Sequence, residues 1–142
     1  MSQNYSNHRR LVPIYHYILA ALLLVVLIGS IVNLVGSLGT ENLYSASLIL
    51  ALSVAVLILG YLARTFPLKA QDRTIRVEEN LRHFVLTGKL IEPRITMRQV
   101  VGLRFAGDSE FVALAARAIA DNMSEDDIKK AIQDWRADDE RV

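Results

Sequence analysis

The sequence of 142 residues contains no cysteine, and its charged residues are unevenly distributed. Without cysteine, the chain has no disulfide bond, thiolate nucleophile or cysteine-ligated metal site. Residues 18–63 contain a single charged side chain, that of Glu41, although 22% of all residues are charged and 52% are hydrophobic. This segregation indicates a membrane segment joined to a water-soluble part.

The motifs that mark common enzyme classes are also missing. The sequence has no P-loop, no Rossmann glycine pattern, no HExxH zinc motif and no serine nucleophile elbow. Glu79 and His83 have a four-residue spacing that can bind a metal, but no further ligand accompanies them. We therefore expect no enzymatic activity, catalytic residue, cofactor or metal site.

Nucleic acid is not an expected partner either. Two short predicted helices within residues 97–121 could mimic a helix-turn-helix. Arg117 is the only basic residue of the second of them, and contact with phosphates needs more positive charge.

Two apolar runs, residues 18–38 and 43–63, are separated by a short polar link. A helix needs about 20 residues to cross the hydrocarbon core of a bilayer, and each run is about that long. The first run exceeds the apolar segment of a cleaved secretory signal. The sequence therefore predicts a transmembrane helical hairpin over residues 15–66, between an N-terminal cytosolic tail (1–14) and a cytosolic helical domain (67–142).

The flanking charges predict the orientation of this hairpin. Arg9 and Arg10 precede the first run, and several arginines and Lys69 follow the second, whereas the link carries no basic residue. The positive-inside rule therefore predicts that both termini lie in the cytoplasm and that the link faces outward.

Each apolar run has a stripe of small or weakly polar residues. Helices in lipid associate through close backbone approach and interhelical hydrogen bonds, so we expect the two stripes to meet. The side chain of Asn33 would then bond to Ser47, to the same residue of a second copy, or line an oligomeric pore. The candidate packing residues are Gly29, Asn33 and Gly36 in the first run and Ser47, Ala51 and Ala55 in the second.

The segment after the second run predicts an amphipathic helix over residues 68–86, with Pro67 breaking or kinking the helix before it. One stripe is apolar, and a basic stripe lies beside it. Such a helix can lie on an anionic membrane leaflet or belong to a helical bundle, and the sequence leaves both alternatives open. The candidates for contact with anionic lipid headgroups are Arg64, Lys69, Arg73 and Arg76.

The remaining sequence predicts three more helices and an all-α fold, a small cytosolic helical bundle after the hairpin. Thr96 with Gln99 forms a capping-box pattern, and Ser124 is placed to cap the last helix. Asp108 or Ser109 would cap the helix between them. The spacing from Ile128 onwards extends the last helix to Trp135, which we expect to be the largest anchor of the core.

The order of these features resembles a family of short bacterial two-span membrane proteins that is known only as a domain of unknown function. The resemblance covers nearly the whole chain, and it implies a bacterial inner-membrane protein without implying any catalytic residue. It is carried by Gln3-Asn4-Tyr5, Asn7-His8-Arg9-Arg10 and Tyr15-His16 before the hairpin, and by Arg82-His83-Phe84, Leu103-Arg104-Phe105-Ala106, Lys129-Lys130-Ala131-Ile132 and Trp135 after it.

Two functional hypotheses follow. In the first, the protein is a membrane-anchored helical interaction module that contacts lipid headgroups and an unidentified membrane or cytosolic protein. In the second, it is a self-assembling membrane component, such as a small channel or transporter subunit, that forms a homo-oligomer through Asn33 and the glycine stripe.

Overall fold

The computed structural model describes residues 3–8 and 11–138. Within these ranges the regular elements are all helical, which confirms the all-α fold class. A π-helical segment, Ile14–Leu19, leads into the first α-helix. The α-helices are α1 (Ala20–Gly36), α2 (Leu43–Thr87), α3 (Met97–Leu103), α4 (Asp108–Ala120) and α5 (Glu125–Ala131).

The chain divides into two compact units. The hairpin unit consists of Arg10–Phe66, and the helical unit consists of Met1–Arg9 together with Pro67–Val142. The division falls within α2, which contributes residues to both units.

Pro67 lies inside α2 and does not end it, so the break, one of the two predicted effects, does not occur at this position. A proline inside a helix removes one backbone N–H donor and crowds the preceding turn. Residues 68–86 continue the helical pattern directly after it, and α2 reaches Thr87. Gly88 follows with a positive φ of 74°, the left-handed conformation in which a glycine commonly ends a helix.

In the hairpin unit, α1 and the first part of α2 pack along a seam. The seam residues recur at alternating steps of four and three, the spacing of knobs-into-holes packing. The hydroxyl of Tyr15 donates a hydrogen bond to the carbonyl oxygen of Gly60 near one end of the seam. The buried and half-buried seam residues are Leu23, Leu27, Ser30, Leu34 and Ser37 in α1 and Ala46, Leu50, Ser53, Leu57 and Gly60 in α2.

The hydroxyl groups of Ser30 and Ser53 at this seam donate hydrogen bonds to backbone carbonyl oxygens of their own helices. Ser30 donates to the carbonyl oxygen of Leu27 at 2.8 Å, and Ser53 donates to that of Ile49 at 2.7 Å. Because each hydroxyl bonds within its own helix, a small side chain can occupy the seam without leaving an unpaired polar group.

The helical unit has one apolar core, formed mainly by α3, α4 and α5. Phe105, Phe111, Leu103 and Ile128 are completely or almost completely inaccessible to solvent. Gly102 lets α3 approach α5 closely, since a Cβ atom there would lie 3.1 Å from the carbonyl oxygen of Glu125 and 3.2 Å from Ile128.

Two capping boxes fix where α3 and α5 begin, as the sequence predicts. The Thr96 hydroxyl accepts a hydrogen bond from the backbone N–H of Gln99, and the Gln99 side-chain oxygen accepts one from the backbone N–H of Thr96. Ser124 and Asp127 make the same two hydrogen bonds at the start of α5. The start of α4 differs from the prediction, because Gly107 occupies the cap position and Asp108 is the first helical residue.

The last helix is shorter than its spacing predicts. α5 ends at Ala131, because Ile132 adopts an extended conformation that turns the chain back towards α3. Trp135 then pairs with Ala106 in an isolated antiparallel bridge. Trp135 is half-buried and packs against the core with its ring centre 5.3 Å from that of Phe105, whereas the largest fully buried side chains are those of Phe105 and Phe111.

The close approach at Gly102 predicts that Gly102→Val lowers the free energy of unfolding by about 1–3 kcal/mol, since the added methyl groups overlap Ile128. Ala113→Val, on the exposed face of α4, is the matched control with the same β-branched side chain. Denaturant unfolding of the purified protein measures both. Equal destabilisation by the two variants would contradict the close contact between α3 and α5.

Candidate functional site

Arg82 joins α2 to the turn between α3 and α4. Its Nε donates to Asp108 at 2.6 Å, one terminal nitrogen donates to the Ala106 carbonyl oxygen at 2.6 Å, and the other lies 3.1 Å from Glu79. The guanidinium carbon lies 4.3 Å from the centre of the Phe111 ring. The planar donor fork of arginine suits such a site, in which several acceptors and an aromatic face are contacted at once.

Glu79 is the buried acid of this cluster. It is 4% exposed, and Arg136 approaches its second carboxylate oxygen to 3.9 Å. Burial raises the pKa of the Glu79 carboxyl above its usual range, and the positive charge of Arg82 opposes this shift.

An open groove of about 1070 Å³ lies over the Glu79–Arg82 cluster. Its lining combines apolar side chains of α2, among them Leu81 and Val85, with charged side chains from the α3 end and the C-terminal segment. Arg104 pairs with Asp138 at 3.1 Å on that charged side. The groove therefore has an apolar edge and a charged edge, which suits a binding surface.

The N-terminal segment, residues 3–8, packs on the helical unit. The Tyr5 hydroxyl donates to Asp126 at 2.7 Å, and the Gln3 side-chain oxygen accepts from the Asp138 backbone at 2.8 Å. His8 is buried, and its ring lies 5.8 Å from Phe105 and 5.9 Å from Trp135 between ring centres. Local sequence patterns gave no signal for this docking, because its partners lie more than 90 residues away.

Hydrogen bonds link Tyr5, Asp126 and Lys130 at the surface. Lys130 and Tyr5 both donate to Asp126, which lowers the pKa of that carboxyl, while the same contacts raise the pKa values of Tyr5 and Lys130. The ammonium group of Lys130 also lies 5.7 Å from the centre of the Tyr5 ring.

The helical-unit part of α2 turns its charged side towards the core and its apolar side away from it. Ile75 and Glu79 are buried and Arg82 is half-buried. The apolar stripe identified in the sequence is exposed instead, and we call it the outer stripe. It consists of Ala70, Thr74, Val77, Leu81, Phe84 and Val85.

The four residues predicted to contact lipid headgroups have different surroundings. Lys69 and Arg73 are exposed, Arg64 is half-buried in the hairpin unit, and Arg76 donates to the carbonyl oxygen of Ile95 at 3.0 Å. Arg76 thus holds the loop before α3, a role that the basic stripe alone does not reveal.

The structure does not bring the predicted small-residue stripes of the hairpin together. All six residues are exposed, and nothing lies within 4 Å of where a Cβ atom would be on the glycines of the first stripe. Each helix is rotated by about one residue from the predicted contact, so that Ser30 and Ser37 replace Gly29 and Gly36, and Ala46 replaces Ser47. The six residues are Gly29, Asn33, Gly36, Ser47, Ala51 and Ala55.

The described residues offer binding contacts and no evident metal ligands. His83 lies four residues after Glu79, a spacing that can bind a metal. Its ring nitrogen instead lies 2.7 Å from the Lys89 carbonyl oxygen, and its ring packs on Phe111. Within residues 3–8 and 11–138, no group of three or more histidine or acidic side chains could hold a metal ion.

Sequence reasoning missed the central position of Arg82. The three-residue spacing of Glu79 and Arg82 is a local signal for an ion pair, but its burial depends on the α3–α4 turn. The groove residues Arg104, Arg136 and Asp138 gave no signal, because distant segments bring them together.

The Arg82 contacts predict that Arg82→Lys lowers the free energy of unfolding by about 1–3 kcal/mol, although it retains the charge, because lysine cannot contact all of these partners. Arg117→Lys, at an exposed position of α4, is the control. Chemical denaturation measures both variants. An unchanged midpoint for Arg82→Lys would show that these contacts add little stability.

The raised pKa of Glu79 predicts a pH-dependent difference between the wild type and Glu79→Gln. At pH values between the ordinary and the raised pKa, the Glu79 carboxyl of the folded protein keeps a proton that it has released in the unfolded chain. The wild type therefore loses stability as the pH rises through this range, whereas the variant lacks this loss. Thermal unfolding from pH 4.5 to 7 tests this, with Asp121→Asn as an exposed control. A stability of the wild type, relative to Glu79→Gln, that stays constant or increases as the pH rises would contradict it.

Comparison with curated proteins and with solved structures finds no match. A family of unknown function, DUF6526, matches residues 1–142, and this is the full length of the chain. The unknown-function family expected from the sequence resemblance is thereby confirmed. The chain belongs to the DUF6526 family of unknown function.

Proposed function

We propose that the protein is an integral membrane protein of the bacterial cytoplasmic membrane, in which the hairpin anchors a helical interaction module. The helical unit would present its groove and outer stripe to a protein partner. The bacterial membrane follows from the sequence resemblance, and the anchoring role is supported by the surface of the hairpin unit.

Exposure of the apolar helices is the observation that carries this proposal. Ile14–Gly36 and Leu43–Thr87 are long and apolar enough to cross a membrane, and only 6% and 11% of their most hydrophobic windows are buried. A core helix of a soluble protein would be mostly buried. Side chains such as Val25, Leu52 and Leu59 are each about two-thirds exposed, and lipid would cover such an extended apolar surface.

The distribution of charge supports cytoplasmic termini. The link between α1 and α2 contains Glu41 and no basic residue, whereas residues 64–104 contain nine basic and four acidic side chains. Exposed Lys69 would contact anionic headgroups beside the second span.

The groove supports an interaction role over a catalytic one. Most of its titratable side chains are engaged in ion pairs, as in Glu79–Arg82 and Arg104–Asp138. Its apolar edge is continuous with Leu81 and Val85 of the outer stripe, and mixed apolar and charged surfaces of this kind are typical of protein interfaces.

A second candidate function, assembly through the hairpin, is favoured by the position of Asn33. Its side chain is exposed on a helix of high hydropathy. In lipid an amide in this position would need a partner outside its own hairpin, such as a second copy or a polar group of another subunit.

Cysteine labelling tests the proposed topology, since the parent chain contains no cysteine. Glu41→Cys, in the link, is expected to react with a membrane-impermeant maleimide in intact cells. Arg117→Cys, on the exposed face of α4, is expected to react only after permeabilisation.

The cysteine-free parent is the labelling control, and alkaline carbonate extraction provides an independent readout. The proposed anchoring would be overturned if carbonate released the protein. Labelling of Arg117→Cys in intact cells would overturn the proposed orientation.

A further inference from the structure

We propose that the outer stripe pairs with the same stripe of a second copy, forming a short parallel coiled coil through the helical-unit part of α2. The parallel direction rests on the proposed function, since two anchored copies share one membrane and one orientation. The surface itself is argued from the described residues of a single chain.

The outer stripe is unusually apolar for a surface. Val77 is 67% exposed, Leu81 61%, Phe84 50% and Val85 74%. Four large apolar side chains within nine residues form a continuous strip, whereas scattered single apolar residues are normal on a soluble surface. A strip of this kind indicates a contact with another molecule.

The spacing of the strip is that of a coiled-coil seam. Its members Ala70, Thr74, Val77, Leu81 and Phe84 alternate steps of four and three residues. In heptad terms Thr74 and Leu81 occupy a positions, and the other three occupy d positions. One further helix with the same spacing would fit this strip as knobs into holes.

The opposite side of the same segment is already occupied by the chain's own core. The b, c and f positions include Ile75 and Glu79, which are buried, and Arg82, which is half-buried with its charged contacts. The a, d and most e and g positions remain exposed. The core thus leaves uncovered the face that a second coiled-coil helix would use.

The charges beside the strip make it complementary to itself. Arg73 occupies a g position, and Glu78 occupies the next e position. In a parallel pair, a g residue faces the e residue five positions later on the partner, so Arg73 of each copy faces Glu78 of the other. Both side chains are exposed, and no ion pair joins either of them to another described residue.

Glu78 also argues against an anionic leaflet as the occupant of the strip. A helix that lies on such a leaflet carries basic residues beside its apolar face. Here one flank carries an acid, and Arg76 of the basic stripe is already bonded to the carbonyl oxygen of Ile95.

The outer stripe is short, at about two heptads, and a coiled coil of this length would be weak between free chains. Anchoring in one membrane confines both copies and raises their effective concentration, so a modest interface can suffice. The proposal therefore predicts a dimer of the full chain in the membrane.

Disulfide crosslinking in membranes prepared from cells tests the strip, using single cysteines in the cysteine-free chain. Ala70→Cys, Val77→Cys and Phe84→Cys are each expected to form covalent dimers under mild oxidation, at least about tenfold faster than Leu86→Cys. Leu86 is an exposed f-position residue of the same helix and is the matched control. Coexpressed Ala70→Cys and Phe84→Cys should not crosslink with each other.

Charge exchange is the second test, made in the Val77→Cys background. Arg73→Glu and Glu78→Arg are each expected to lower the yield of covalent dimer by about threefold or more, because like charges then face each other across the pair. The double variant, with both changes, restores opposite charges and should restore the yield. Asn33→Leu should leave the yield unchanged.

Three other outcomes would overturn the pairing of the outer stripe, and a fourth would overturn only the membrane anchoring. Crosslinking at the Leu86→Cys rate indicates lipid or another protein on the strip, and crosslinking between Ala70→Cys and Phe84→Cys indicates an antiparallel pair. Loss of the dimer in Asn33→Leu would assign the pairing to the hairpin. Release by carbonate with strip-specific crosslinking intact would overturn the anchoring and leave the strip contact standing.

Discussion

The guanidinium group of Arg82 is the contact on which the attachment of α2 to the helical unit depends. It bonds to Asp108 and to the Ala106 carbonyl oxygen at the α3–α4 turn, while it neutralises Glu79 on its own helix. Ile75 is the only α2 residue in the buried core cluster of the described chain. The helix is therefore held largely by polar and ionic contacts, in contrast to amphipathic helices that bury an apolar face.

This arrangement explains the surface of the unit. With the charged side of α2 against the α3–α4 turn, the outer stripe faces away from the core of the described residues and is exposed. The groove beside it joins this apolar surface to the Arg104–Asp138 pair. A buried ion pair adds little net stability, but removing one of its partners is strongly destabilising because a charge is left buried and unpaired. Its value here would lie in fixing which face of α2 is presented.

Local patterns predicted much of the fold but little of the site. The capping boxes at Thr96 and Ser124 depend on neighbours three residues away, so the sequence is sufficient to find them. Rotation about a helix axis depends on the partner helix, and here Ser30 replaces Gly29 at the seam. The end of α5 and the burial of Glu79 both depend on the turn at Ala106, which pairs with Trp135 and accepts a hydrogen bond from Arg82. This turn is distant in sequence from both. The pattern of the apolar stripe likewise does not show that the stripe is exposed.

The docked N-terminal segment makes the hairpin an insertion within the helical unit. Tyr5 and Asp126 are separated by 121 positions, and the whole hairpin unit lies between them in sequence. During synthesis the first segment emerges long before its binding site, which needs Phe105 and Trp135. Its docking must therefore be a late event that follows production of the last helix, so the helical unit becomes complete only when the whole chain has been made.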